Sequence, residues 1–396
     1  MIFSALRPPE PDAIVRLMQL YRDDPRPNRI DLGVGVYRDA MGRTPVMRAV
    51  TTAETRMLAR QDTKTYTSLA GDPAFLEAME RLLLAGSVPS DRLASVATPG
   101  GTGALRQILE LVRMVNPQAC VHLPRPSWAN HAPLVRGVGL RLAEYSYFDP
   151  ETGGLDRDGM MADLGRVATG DVVVLHGACH NPTGVDPDPS DWAEIAALLS
   201  RAGAVPLIDV AYLGLGEGLD ADAGGMRHLC ARMPEVLVAA SGSKSFGLYR
   251  ERVGLAMAVT SGPEARGRVA ATLAWLNRQN FAFPPDHGAR VVTEILGNPE
   301  LRHDWQTELA EMRTRIASTR SALVRALSRE TGTDRFGCLA AQKGMFSLLP
   351  LSPEAVQRLR EAHAIYMVAD GRANLAGLLP GQIDRCAAAV AQVLAG

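Results

Sequence analysis

"DVVVLHGACHNPTGVDPDPSDWAEIAALLSRAGAVPLIDVAY", residues 171–212, joins two apolar runs through a helical stretch, and its reading decides the fold. "DVVVLHG" (171–177) is dominated by β-branched and aliphatic residues, the pattern of a buried strand. In "DPSDWAEIAALLSRAG" (188–203), Trp192, Ile195, Ala196 and Leu199 recur at helical spacing and share one face. "AVPLIDVAY" (204–212) is a second buried strand. Strand, helix, strand at this spacing implies right-handed crossovers and a mostly parallel sheet.

The same alternation extends both ways. "EVLVAASGS" (235–243) is a further strand after an intervening helix, and "SVATPGGTGALRQILELV" (95–112) reads as strand, glycine-rich turn and helix. A long amphipathic helix is expected over about 300–330, with Met312, Ile316, Leu323 and Leu327 on one side. Beyond it come shorter strands and helices, including "GMFSLLP" and "AIYMVADGRANLAGL". The expected division is a large α/β domain over 45–311, with 1–44 and 312–396 forming a smaller one.

Bulk properties narrow the function. The 396 residues are 46% hydrophobic, enough for a sizeable core, and the formal net charge of -1 lacks the basic excess of a nucleic-acid binder. No apolar run reaches the roughly 18–20 residues that span a bilayer. The start, "MIFSALRPPEPDA", has neither a basic region nor an apolar signal core. Five scattered cysteines without a CxxC suggest neither a disulfide framework nor a zinc site. These features point to a soluble cytoplasmic protein with no membrane, nucleic-acid or metal partner.

In open α/β sheets, ligands gather beyond the C-terminal strand ends. Polar residues cluster there: Gly100–Thr102, Asn181, Asp209 with Tyr212, and Ser241–Lys244. "PGGTG" (99–103) can present backbone N–H groups to an anion at a helix N-terminus, or simply make a tight turn. A dinucleotide fingerprint fails, because Arg106 stands where the third glycine is required. A single phosphate fits better. Asp209 could cap the next helix, or partner a ring nitrogen that must stay protonated. Lys244 is one of only three lysines, with Lys64 and Lys343. An amine can lose its proton when desolvated, which a guanidinium does not do.

"HNPTG" (180–184), "DVAYLG" (209–214), "SGSKSFGLYRERVG" (241–254) and "DGRANLAGL" (370–378), with "IDLGVGVYRD" at 30–39, resemble the class I aminotransferases that use pyridoxal 5'-phosphate. The branch most resembled contains the aspartate and aromatic amino-acid aminotransferases. The motifs occur in family order over nearly the whole chain. The resemblance implies fold type I of the pyridoxal-phosphate enzymes and an amino-group transfer between amino acids and 2-oxo acids by a ping-pong mechanism.

By resemblance, Lys244 holds the cofactor covalently and moves the proton at the substrate Cα. Asp209 pairs with the pyridine nitrogen, Asn181 and Tyr212 with the phenolic oxygen. Trp128 stacks on the ring, and His131 supports Asp209. Gly101, Thr102, Ser241, Ser243 and Arg252 hold the phosphate, joined by Tyr66 from a neighbouring subunit, so a homodimer with shared sites is implied. Arg372 clamps the substrate α-carboxylate beside Gly35, where a side chain would obstruct approach. Arg278 crosses the interface to a distal carboxylate, implying acidic substrates with 2-oxoglutarate as acceptor.

Gly242, Ser245 and Phe283 depart from the aspartate-preferring pattern. Phe283, with Ala282, makes the distal pocket more apolar and suggests aromatic substrates too, whereas Thr44 and Thr102 look more like the aspartate type. A lyase or decarboxylase on the same scaffold, and a non-catalytic effector-binding domain, are the competing readings. The paired arginines speak against the former, and the absence of a basic helix-turn-helix before residue 30 against the latter. Closure over two carboxylates also implies that the small domain moves when substrate binds.

Overall fold

A computed structural model describes residues 2–6 and 12–395. Its centre is a seven-stranded sheet of β1 (Leu93–Pro99), β2 (Cys120–Arg125), β3 (Arg141–Ser146), β4 (Val172–His176), β5 (Val205–Val210), β6 (Val236–Ser241) and β7 (Val253–Val259). The spatial order is β1–β7–β6–β5–β4–β2–β3. β4 pairs in parallel with β2 and β5, and β5 with β6, as the crossover at 171–212 requires. β7 alone is reversed, running antiparallel to both β1 and β6.

The inner strands β4, β6 and β7 are almost wholly apolar because helices cover both faces of the sheet, whereas the edge strand β3 carries exposed Arg141 and Glu144. Every residue of β4 and β7 is buried. The helices that matter below are α1 (Gly100–Val115), α2 (His131–Gly137), α3 (Pro189–Ala202), α4 (Pro263–Asn280) and α5 (Pro299–Thr331). In α3, Trp192, Ile195, Ala196 and Leu199 are buried as their spacing implied, together with Asp191. Asp191 accepts the Asp188 N–H at 2.9 Å and the Arg157 Nε–H at 2.7 Å, which accounts for a carboxylate on that inner face.

The glycine-rich turn expected after β1 is not a separate element: α1 starts at Gly100, directly after Pro99. Gly100 has φ +72°, and a Cβ there would lie 2.3 Å from Arg252 Nη2. A Cβ on Gly254 would lie 2.3 Å from the carbonyl carbon of Gly100. Both glycines are what let the first turn of α1 lie against the start of β7.

A second core gathers Ile30 and Leu32 with Phe336, Leu359, Ile365, Leu375 and Val390. Two short pairings frame it: Ile30–Asp31 parallel to Ile365–Tyr366, and Phe346–Leu348 antiparallel to Arg372–Asn374. α5 spans both cores. Its Leu301, Trp305, Leu309, Met312 and Ile316 pack into the central core, its Leu323, Ala326 and Leu327 into the second. The early segment 30–32 and the C-terminal third thus share one apolar cluster. Among the described residues no helix is long and apolar enough to cross a membrane.

Candidate active site

The C-terminal ends of β2, β4, β5 and β6 open at one edge of the sheet, and β7, being reversed, begins there. A cleft at that edge is lined by Gly101, Thr102, Trp128, Asn181, Asp209, Tyr212, Ser241, Ser243, Lys244 and Arg252. Ten residues singled out from scattered motifs therefore meet in one place.

Lys244 lies three residues beyond β6, and its neighbours pin it. Ser245 Oγ donates to the Leu213 carbonyl at 2.8 Å, and Trp305 Nε1 donates to the Ser245 carbonyl at 2.7 Å. The Phe246 and Trp305 rings stack at 4.5 Å, inclined by 5°. Ser245 thus fills a structural place that a hydroxyl suits. The Lys244 Nζ lies 5.2 Å from the Tyr212 ring centroid. Burial lowers its amine below the ordinary lysine value, the Arg252 cation adds to this, and the Asp209 charge opposes it.

Asp209, the penultimate residue of β5, is buried. His131 Nε2 at the start of α2 lies 3.0 Å from its Oδ2, and His131 Nδ1 lies 2.8 Å from Ser127 Oγ. Burial by itself would raise the Asp209 carboxyl. The His131 hydrogen bond and the His131, His176 and Lys244 charges outweigh it and hold the group below the usual carboxylate value. An ionised carboxylate is thus held inside an apolar sheet by specific partners rather than by water.

On the opposite wall, Asn181 Nδ2 donates to Tyr212 Oη at 3.1 Å, and Arg372 Nη1 donates to Asn181 Oδ1 at 3.2 Å. Arg372 is buried, donates through Nη2 to the Gly33 carbonyl at 3.0 Å, and lies 4.7 Å over the Phe346 ring. Its Nε is buried with no partner. A buried guanidinium with a donor to spare is suited to receive an oxyanion.

Ser241, Ser243 and Arg252 face the N-terminus of α1. Arg252 Nη1 donates to Ser243 Oγ at 3.3 Å and to the Tyr249 carbonyl at 3.1 Å, from a residue held at φ +54°. Hydroxyls, a guanidinium and a helix N-terminus on one point make an anion cradle.

Two residues picked from the sequence lie apart from this cleft: Tyr66 is 79% exposed, and Arg278 is exposed in the last turn of α4. Gly35 lies against the ring of Phe346, which also packs under the Arg372 guanidinium. A Cβ there would come within 2.9 Å of the Phe346 ring, so the close approach is to that ring. Sequence reasoning missed His176, the last residue of β4, which lines the cleft with its Nε2 3.5 Å from Ser127 Oγ. Its signal was the position itself, a polar residue ending an apolar strand. It also missed Phe346, whose ring meets Tyr212 edge-on at 5.8 Å. Cys120, His122 and Asp171 converge at the N-terminal end of β2, away from the cleft, but Asp171 already accepts from Cys120 N–H at 2.8 Å and lies 3.0 Å from His122 Nε2. That trio is explained as a hydrogen-bonded cluster.

A family model for aminotransferases of class I and II matches residues 27–390. The chain belongs to the class I and II aminotransferases. An aromatic-amino-acid aminotransferase of Paracoccus denitrificans is 50% identical over 388 residues, covering 98% of each chain. An aspartate aminotransferase of Escherichia coli K12 is 41% identical over 386 residues, covering 97% of this aminotransferase and 98% of the relative. Among solved structures, an aromatic-amino-acid aminotransferase from Burkholderia pseudomallei, covalently bound to pyridoxal phosphate, is similar with a TM-score of 0.97 and 38% identity, each chain covered completely (100% and 100%).

Proposed function

We propose that this aminotransferase uses pyridoxal 5'-phosphate to move the amino group of aspartate, tyrosine or phenylalanine to 2-oxoglutarate by a ping-pong cycle. The observation that carries the reading is a half-buried lysine, Lys244, whose amine is lowered from its ordinary pKa, sharing one cleft with an ionised buried carboxylate, Asp209, and an anion cradle. The residues fit the cofactor chemically. Ser241, Ser243, Arg252 and the Gly101 and Thr102 backbone suit its phosphate, Asp209 its ring nitrogen, and Asn181 with Tyr212 its phenolic oxygen. Trp128 offers a ring face, and Lys244 the amine that an aldehyde requires.

When bound, the cofactor supplies an electron-withdrawing ring that takes up the electrons released at the substrate Cα. Lys244 would hold the cofactor through its amine and move the proton at the substrate Cα, a task suited to an amine lowered from the ordinary lysine value. Asp209, held ionised, would pair with the cofactor's ring nitrogen and favour its protonated form, and His131 fixes the carboxylate's orientation. With Ser127 beside Nδ1, His131 presents its Nε2–H to Asp209 as a hydrogen-bond donor. Arg372 orients the substrate through its α-carboxylate.

Arg278 and Tyr66 serve the site of a second copy in a homodimer: Arg278 reads a distal carboxylate, and Tyr66 reaches the phosphate. Their exposure in the single chain supports that role, as do the neighbours named for aromatic and aspartate substrates. The larger unit is placed at 45–311 and the smaller at 1–44 with 312–396. The five free cysteines suit a reducing cytoplasm.

Reduction of the protein–cofactor mixture with borohydride, followed by peptide mass analysis, should find the cofactor fixed on Lys244. Modification at Lys64 or Lys343 instead would refute the assignment. Comparing kcat/KM for aspartate, tyrosine and phenylalanine with 2-oxoglutarate tests the substrates, and turnover of none of the three would end that part of the reading.

A further inference from the structure

Residues 61–68 form neither helix nor strand, yet Tyr66 has a defined seat. Its ring stacks on Phe283 at 4.6 Å between centroids, inclined by 17°. The guanidinium of Arg278 lies 6.0 Å from the centroid of that same Phe283 ring. Among the described residues neither the Tyr66 hydroxyl nor the Arg278 guanidinium has a hydrogen-bond or ion-pair partner, so the shared ring is what gathers them.

The backbone aims Phe283 at that place. Ala282 is held at φ +64°, a conformation costly for a residue with a Cβ, and the Phe283 N–H donates to the Phe281 carbonyl at 2.8 Å across it. Pro284 and Pro285 stiffen the chain that follows. The base of the Tyr66 segment is fixed to the same helix. Asn277 Nδ2 donates to the Leu69 and Ala97 carbonyls at 2.8 and 3.0 Å, and Asn277 Oδ1 accepts from Gln107 Nε2 at 2.5 Å. The end of α4 thus holds the Tyr66 segment twice, by amide hydrogen bonds at 69 and by an aromatic stack at 66.

We propose that Phe283 is a positioning residue that holds Tyr66 and Arg278 as a single unit presented to the neighbouring subunit's site. The inference rests on the dimeric reading above and deepens it: one ring sets both a phosphate contact and the distal-carboxylate reader. A stacked ring restricts Tyr66 to few orientations before the subunits meet, so less ordering is left for the assembled site. A cation resting near an aromatic face needs no counter-charge, and it is free to leave when an uncharged substrate takes the pocket. The same ring that makes the distal pocket apolar therefore also keeps the arginine at hand for dicarboxylates.

The test uses the cofactor-loaded enzyme and its variants Phe283→Leu, Phe283→Tyr, Tyr66→Leu and the double variant, each checked for mass by light scattering. The readouts are the rate of cofactor loss into an excess of a competing aldehyde trap, and KM for aspartate and for phenylalanine. Phe283→Leu keeps apolar bulk without the ring. It should speed cofactor loss about two- to tenfold, the size of an aromatic pair's contribution, and should raise KM for aspartate more than for phenylalanine. Phe283→Tyr keeps a stackable ring and should restore both. In the Tyr66→Leu background, Phe283→Leu should add nothing further to cofactor loss. Independent, multiplying effects of the two substitutions would overturn the proposal, as would unchanged release in Phe283→Leu. If Tyr66→Leu alone leaves release unaltered, or the loaded enzyme is a monomer, the cross-subunit reading itself is what fails.

Discussion

His131 Nε2 lies 3.0 Å from Asp209 Oδ2, and the other nitrogen of that imidazole is taken by Ser127, 2.8 Å away. Asp209 is thereby kept ionised at a depth where burial would otherwise neutralise it. The pair is built to present a permanent negative charge to the cleft.

Asp209→Asn removes that charge while keeping the side-chain shape. Loss of one preorganised electrostatic partner costs about 10²–10³ in kcat. Turnover of aspartate with 2-oxoglutarate should fall by that order, with the fold unchanged by circular dichroism. A variant within about threefold of the parent, against that scale, would show that the carboxylate is not required.

Lys244→Arg keeps a positive charge in the same seat but offers no amine to form a covalent bond. Borohydride reduction should leave no cofactor attached to the chain. Turnover should drop by at least the roughly 10²–10⁴-fold that a positioned general base contributes. Covalent labelling that persists in this variant would point to another lysine.

Arg372→Lys exchanges a planar fork for a point charge. Hydrogen bonds to charged groups contribute about 1.5–3 kcal/mol, so kcat/KM should fall roughly ten- to 150-fold, and equally for aspartate and phenylalanine, because both carry the α-carboxylate. A selective loss for one substrate would move Arg372 from the shared carboxylate to the side-chain pocket.

Arg278→Ala should behave in the opposite way. If its charge serves only a distal carboxylate, as proposed, kcat/KM for aspartate falls by about 10–100-fold on the same scale, while the value for phenylalanine changes little. Equal losses would show that Arg278 is not the side-chain reader.

The parts of this molecule that could be read from sequence are those fixed by short-range pattern. The crossover at 171–212, the helical face of Trp192, Ile195, Ala196 and Leu199, and the polar residues at strand ends all follow from local periodicity. Long-range contacts carried no such mark. Ser127 and His176 sit 49 residues apart and meet because β2 and β4 are neighbours in the sheet. Tyr66 and Phe283 stack across a still longer gap. The reversal of β7 was equally hidden, since "VGLAMAV" is apolar from end to end and reads alike in either direction. Gly35 likewise meets the Phe346 ring across most of the chain's length, a contact with no local mark.

Asp186 makes a pH-dependent prediction. Its carboxylate accepts the N–H groups of Cys179 at 2.8 Å and His180 at 2.9 Å, anchoring the loop that carries Asn181 toward Tyr212. Burial pushes the Asp186 carboxyl up to about 6, against the pull of these two N–H groups and of Lys343. Lys343 is itself paired with Glu217 at 2.7 Å, and the nearby Asp222 charge pushes Asp186 further up. Because the folded-state value is raised, the folded chain binds more protons than the unfolded one between about 4 and about 6. This group's contribution to stability is therefore greatest below the ordinary aspartate value, declines as pH rises through about 6, and is flat beyond it. Asp186→Asn cannot titrate and keeps one acceptor oxygen for the loop. The difference in melting temperature, variant minus parent, should shift in the variant's favour by a few degrees between about pH 4 and about pH 7, at roughly 1 °C per kcal/mol for a chain of this length. A difference that stays constant across that range would mean that Asp186 titrates alike in the folded and unfolded chain, with no upward push from burial.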